Sequence, residues 1–398
     1  MRIQPSLLTL IALATSGILP LMAQQPPEVA TVWPPPPEEA RIAYAGMVHS
    51  ERDLGKKRGF FSRISGALLG TGDAVTLVNR PYDVHVDIEG RIWMTNGMTS
   101  GLWVFDREAK EARLVIPEGA AAVGKPMGLD GDDAGTLFVA DARSKRIVAM
   151  DGEGGFLSAY GGRDVLLNPV DVALSPGADR LYVSDSYLHQ VLVFDRSTGE
   201  VVHRIGRMEG DIADALLRQG QEAPPELVDA SHAPGQRSSG PSDVYENRGA
   251  EPGQFRYPSF VAVGSDGTVY VTDQMNFRVQ QFDADGNFQR IIGRLGDVPG
   301  SFARPKGVAV DSDGHVYVVD GAFNNVQIFD REGRLLLAFA NFGSGDGELW
   351  LPLGLAVDSH DRIYVADRYN NRIQLYQYLT APAGETEGSG PERTEPGK

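Results

Sequence analysis

One recurring pattern in this chain of 398 residues constrains its fold more than any other feature. A Pro is followed by an apolar strand, a Gly turn, a second alternating strand ending in Asp, a polar loop and a third strand. "RPKGVAVDSDGHVYVVDGAFNNVQIFD" (304–330) is the clearest copy, and five more begin at Arg80, Lys125, Asn168, Tyr257 and Leu351. Their leading prolines fall at 81, 126, 169, 258, 305 and 352, giving spacings of 45, 43, 89, 47 and 47 residues. A period in the forties made of short strands marks the blades of a propeller rather than the turns of a helical solenoid.

After the third strand a further Gly turn, such as "REGR", leads to a fourth strand such as "LLLAFA", so each copy reads as a four-stranded antiparallel meander. A single meander cannot bury both of its faces, whereas six around an axis bury them all. The predicted fold class is therefore all-β, a six-bladed β-propeller over residues 41–379. The sixth copy runs through "RIQLYQYL" (372–379) and then lacks a fourth strand. "RIAYAGMV" (41–48) alternates like a strand and has no partner, so it is expected to complete that last blade and close the ring. The gap of 89 residues holds one blade plus a polar, Gly- and Pro-rich insertion at 208–250, with a degenerate seventh blade as the alternative.

The flanks read differently. Arg2, the apolar run 7–22 and Ala23 make a cleavable export signal over 1–23. No later run is long enough to span a bilayer, so the mature chain is expected to be exported, periplasmic or extracellular, with no stable membrane span. Residues 24–40 are Pro-rich and read as an extended tether, 58–70 as a short amphipathic helix, and 380–398 as a disordered tail. The net charge of −16 speaks against a nucleic-acid partner, since no basic patch larger than Lys56-Lys57-Arg58 occurs in the sequence. The absence of cysteine removes disulfides and thiolate chemistry. The chain is expected to be monomeric.

The strand motif "P-x-G-[VL]-A-V-D", the following "[VI]-Y-V-x-D-x-x-x-N-[NR]-[VI]-Q" and the linkers "EPGQFRYP" (251–258) and "VPGSFARP" (298–305) resemble the NHL repeat. The resemblance covers about residues 80–379, closest in the last three copies; Asn96, Arg143 and His189 depart from the pattern in the first three. With its export signal the chain is similar to uncharacterised exported bacterial six-bladed propellers. The resemblance implies a binding module, or alternatively a metal-dependent lyase or lactonase similar to the peptidyl-hydroxyglycine amidating lyase or the gluconolactonases. Fold alone does not choose between them.

Individual residues sharpen the choice. Asp141, Asp185, Asp273, Asp320 and Asp367 end the second strand in five copies, which reads as a repeated loop cap rather than five catalytic acids. "DSDG" (311–314) and "DADGN" (283–287) have Gly too early and lack the distal Glu of a calcium loop, so they read as hairpin turns. A Ca or Zn site at the channel mouth would draw on Asp83, His85, Asp171, His189 and His232, the three histidines approaching one another only if the insertion folds over the mouth. No catalytic residue and no cofactor is assigned. The binding face is expected to be the top, where the insertion lies beside loops carrying Asn276, Arg278, Phe323, Asn324, Tyr369 and Asn370. Its partner is expected to be a protein or a small ligand.

Overall fold

The computed structural model describes residues 31–35, 37–50, 53, 54, 78–206 and 249–379. The expected export signal, the helix at 58–70, the disordered tail and, but for Gly249 and Ala250, the insertion lie outside them. Six antiparallel sheets follow one another in order along the chain. Blade 1 has strands Asp83–Val86, Ile92–Thr95, Leu102–Asp106 and Glu111–Val115. Blades 2, 3, 4 and 5 start with inner strands Pro126–Gly131, Pro169–Leu174, Pro258–Val263 and Pro305–Val310. Each continues outward through three more strands in sequence order. Contacts between successive inner strands run around the ring and return from Leu355–Val357 of blade 6 to Asp83–Val86 of blade 1.

Blade 6 closes as the sequence predicts. Ile42–Val48 pairs antiparallel with Arg372–Tyr378, from Ile42 opposite Tyr378 to Val48 opposite Ile373. The structure adds a strand that the sequence reading assigns to the tether: Val32–Trp33 pairs with the outer edge of Ile42–Val48. Trp33 packs on Phe339 and Tyr376, with ring centroids 5.8 and 5.7 Å away. An indole held against two core rings stays put, so the tether is at least that much shorter than expected.

The apolar residues explain why the ring holds. Each of six buried clusters is sandwiched between two neighbouring blades, such as Val183 and Leu192 of blade 3 against Phe138 and Ile147 of blade 2. The fifth and sixth blades share Tyr317, Val319, Ile363, Val365 and Ile42, so the N-terminal strand is part of that core. Both faces of the second and third strands are therefore mostly dry, which is why those strands are so continuously apolar, while the outermost strands are partly exposed.

The hairpin turns are built by aspartate. Asp311 Oδ1 accepts the N–H groups of Asp313 and His315, and its Oδ2 accepts the Tyr317 hydroxyl at 3.0 Å. Gly314 supplies the positive φ of 83° that completes the turn. Asp283 bonds Asp285 and Asn287 in the same way. Both sequences that resembled calcium loops are turns.

Candidate binding site at the channel mouth

The recurrent Asp at the end of each second strand reaches backwards as well as forwards. Asp320 accepts N–H groups from Ala303 and Arg304 in the preceding linker and from Ala322 and Phe323 in the following loop. Asp185 does the same with Leu167, Asn168, Tyr187 and Leu188. These carboxylates are fully buried caps that fix the linker against the loop on one face of the ring. In blade 1 Asn96 takes the position; its Oδ1 accepts the Met98 and Thr99 N–H groups.

Four of the expected top-face binders belong to this same scaffold. Asn276 and Arg278 donate to Asp273 Oδ2 at 2.8 Å each, and Arg278 continues to the carbonyls of Glu251 and Gln254. Asn370 repeats the first bond on Asp367 and also donates to the Gly343 carbonyl. Asn324 accepts the Leu351 N–H and has a positive φ of 56°. Phe323 is half-buried in its loop. Of the six, Tyr369 lines a cavity.

The expected metal candidates are also placed. Asp83 Oδ2 accepts the Leu129 N–H of blade 2, and Asp171 Oδ2 accepts the Val261 N–H of blade 4. They are latches between inner strands. A Cβ on Gly128 would collide with the Asp171 carboxylate, and one on Gly354 with that of Asp83, so each acid occupies the space a neighbouring Gly leaves. Burial pushes both carboxyls well above the usual carboxylate range. His85 Nδ1 lies 3.1 Å from Asp130 Oδ1, whereas His189 Nδ1 accepts the Tyr257 N–H elsewhere on the face. His232 lies outside the described residues. Among the described residues no group of three or more His, Asp or Glu is arranged to hold a metal ion.

The cavity itself sits where the inner strands begin. In blades 2 to 5 the ladder slips just after the leading Pro, a bulge that frees the next residues to project inward. From blade 1 comes Tyr82 and from blade 4, directly across the ring, Phe260. Their rings stack with centroids 5.7 Å apart and planes 21° from parallel. That pair spans the ring and lines a cavity of about 230 Å³. Lys125, Arg304, Lys306 and Arg368 line it, and among the described residues no Asp or Glu does. Lys306 is only 9% exposed and donates to Gln274 Oε1 at 2.9 Å. Burial, then the nearby Arg304 and Arg368, lower its ammonium to about 7. Burial and Arg368 also lower Lys125. Burial raises the Tyr82 phenol, so it stays a neutral donor.

Sequence reasoning missed these residues because it compared copies for what they share. The cavity is lined by what they do not: the positions flanking the leading Pro and the one after the capping Asp. Those are Lys125, Arg304 and Lys306 around Pro126 and Pro305, and Arg368 after Asp367.

The NHL repeat model matches residues 255–282, 302–329 and 349–376, which are blades 4, 5 and 6 with their linkers. The chain is a six-bladed propeller that carries NHL repeats in blades 4, 5 and 6. No curated protein matches the sequence. Among solved structures, the propeller is similar to a Bacteroides thetaiotaomicron protein of unknown function at 16% identity and a TM-score of 0.52, covering 76% of this chain and 70% of that one. It is similar to an auxiliary nutrient binding protein of the same organism at 12% identity and a TM-score of 0.52, covering 76% and 69%. A gluconolactonase from Xanthomonas campestris superposes at 15% identity with a TM-score of 0.48, over 76% of this chain and 87% of that one. At these identities the likeness speaks to fold alone.

Proposed function

We propose that this propeller is a binding protein that holds a small molecule in its top-face cavity, acting as an exported scaffold once residues 1–23 are removed. The observation that carries the reading is the Tyr82–Phe260 stack, which joins opposite blades across the ring and lines a cavity that combines apolar and aromatic side chains with basic and polar ones. A concave, largely preformed pocket with a few polar groups over aromatic rings is the usual form of a small-ligand site. The same concavity favours a small molecule over a protein partner, which would need a broad flat face.

Gly321 offers a direct test. It lines the cavity, and a Cβ there would lie 3.2 Å from the Pro352 carbonyl and otherwise face the Lys306 and Arg304 side chains. Gly321→Leu should therefore fill the cavity while the blade still folds. Ligand-observed NMR of the full chain against a library of small aromatic and aliphatic fragments should find binders that Gly321→Leu loses, with unchanged circular dichroism. Binders that the variant retains, or no binders at all, would refute the reading.

A further inference from the structure

Resting on that reading, we infer that the cavity's ligand is a small organic anion with a flat apolar body and more than one negative charge. The first reason is the charge at the walls. Lys125 comes from blade 2, Arg304 and Lys306 from blade 5 and Arg368 from blade 6, so four basic side chains converge on one cavity in a chain whose net charge is −16. Among the described residues none of the four makes an ion pair.

The carboxylates nearest to hand are already committed. Asp320 is surrounded by four backbone N–H groups, and Asp367 accepts from Trp350, Asn370 and Arg372. Like charges gathered in a partly dry site repel one another, and a bound anion relieves that repulsion. Two of the four are guanidiniums, whose planar forks match carboxylate oxygens.

The second reason is the apolar part of the lining. The Tyr82–Phe260 pair and the side chains of Met127, Val170 and Leu353 line the same cavity as the basic groups, so a bare inorganic anion would leave that surface unused. An aromatic dicarboxylate matches both halves. Its ring covers the stack while its carboxylates reach the arginines and lysines.

The test is calorimetric titration of the full chain with isophthalate, benzoate, neutral benzamide and inorganic phosphate. Isophthalate should bind most tightly, at least about tenfold better than benzamide and better than phosphate. Raising NaCl from about 50 to about 500 mM should weaken it, because the attraction is partly screened. Arg368→Gln and Lys125→Met should each weaken isophthalate by about tenfold, while Arg368→Lys keeps most of the affinity. The inference is overturned if benzamide binds as well as isophthalate, if neither charge-removing variant matters, or if no anion binds at millimolar concentration. Retention of neutral fragments that Gly321→Leu abolishes would leave the binding reading standing while removing the anion.

Discussion

Tyr82 and Phe260 meet face to face across the ring, one from blade 1 and the other from blade 4, with centroids 5.7 Å apart. The two residues, in "RPYDV" and "YPSFV", are 178 positions apart in sequence, and nothing short of ring closure brings them together. Tyr82 is the residue after its Pro, whereas Phe260 is two after its own.

Removing half of that stack should separate binding from folding. Phe260→Ala deletes a buried ring and is expected to lower the unfolding free energy by about 3 kcal/mol, the low end for such a change because the site already borders a cavity. Affinity for aromatic fragments should fall by more than tenfold in the same protein, while Phe260→Leu retains most of the stability. Urea unfolding and titration calorimetry on the two variants measure the two effects separately.

Asp320→Ala strips the acceptor from four backbone N–H groups at once. A buried donor left unpaired costs about 1–3 kcal/mol, and even partial rescue by water leaves an expected loss of about 3 kcal/mol or more. Arg304 and Lys306 hang from the linker that Asp320 fixes, so anion affinity should fall as well. Equilibrium unfolding of Asp320→Ala beside wild type is the check.

Closure by the N-terminal strand makes Ile42 a core residue of the last interface, fully buried against blades 5 and 6. Ile42→Ala is expected to cost about 3 kcal/mol. The half-buried Trp33 should cost less on truncation. Limited proteolysis should cut Ile42→Ala first within residues 31–48, because the fourth strand of blade 6 pairs fully only with Arg372–Tyr378, its outer flank carries just the two-residue strand Val32–Trp33, and Ile42 is one of its few buried anchors.

Much of this fold was legible in the sequence because a repeated meander states its own boundaries. The leading prolines, Gly314 in its turn and the lone strand at 41–48 each correspond to a feature of the ring. Asp320 and its equivalents read as caps, and they are, though their reach back into the preceding linker depends on a contact 16 or 17 residues away in sequence.

The site was less legible for the same physical reason. Asn276, Arg278 and Asn370 follow the capping Asp in a polar loop and look exposed in sequence; in the fold they spend their hydrogen bonds on Asp273, Asp367 and linker carbonyls. Lys125, Lys306 and Arg368 lie in three different copies and share a cavity only after the ring closes. Asp83 and Asp171 suggested a cation at the channel; in the fold the Oδ2 of each accepts a backbone N–H from the next blade.

Lys306 gives the most direct test of the central claim that this cavity takes up an anion. Arg304 and Asp320 face it from its own blade, Gln274 from blade 4 and Arg368 from blade 6. With its ammonium lowered to about 7 in the fold against about 10.5 in an unfolded chain, the unfolded state alone keeps the extra proton between those values. Wild-type stability should therefore gain from this group as pH rises from 7 towards 10.5. A bound anion favours the protonated amine, so affinity has the opposite trend. Calorimetric titration of isophthalate at pH 6 and at pH 8.5 is expected to show tighter binding at pH 6, with proton uptake on binding near pH 7.5. Lys306→Met should weaken binding at pH 6 and abolish the proton uptake. Equal affinity at both pH values, with Lys306→Met indistinguishable from wild type, would contradict the account.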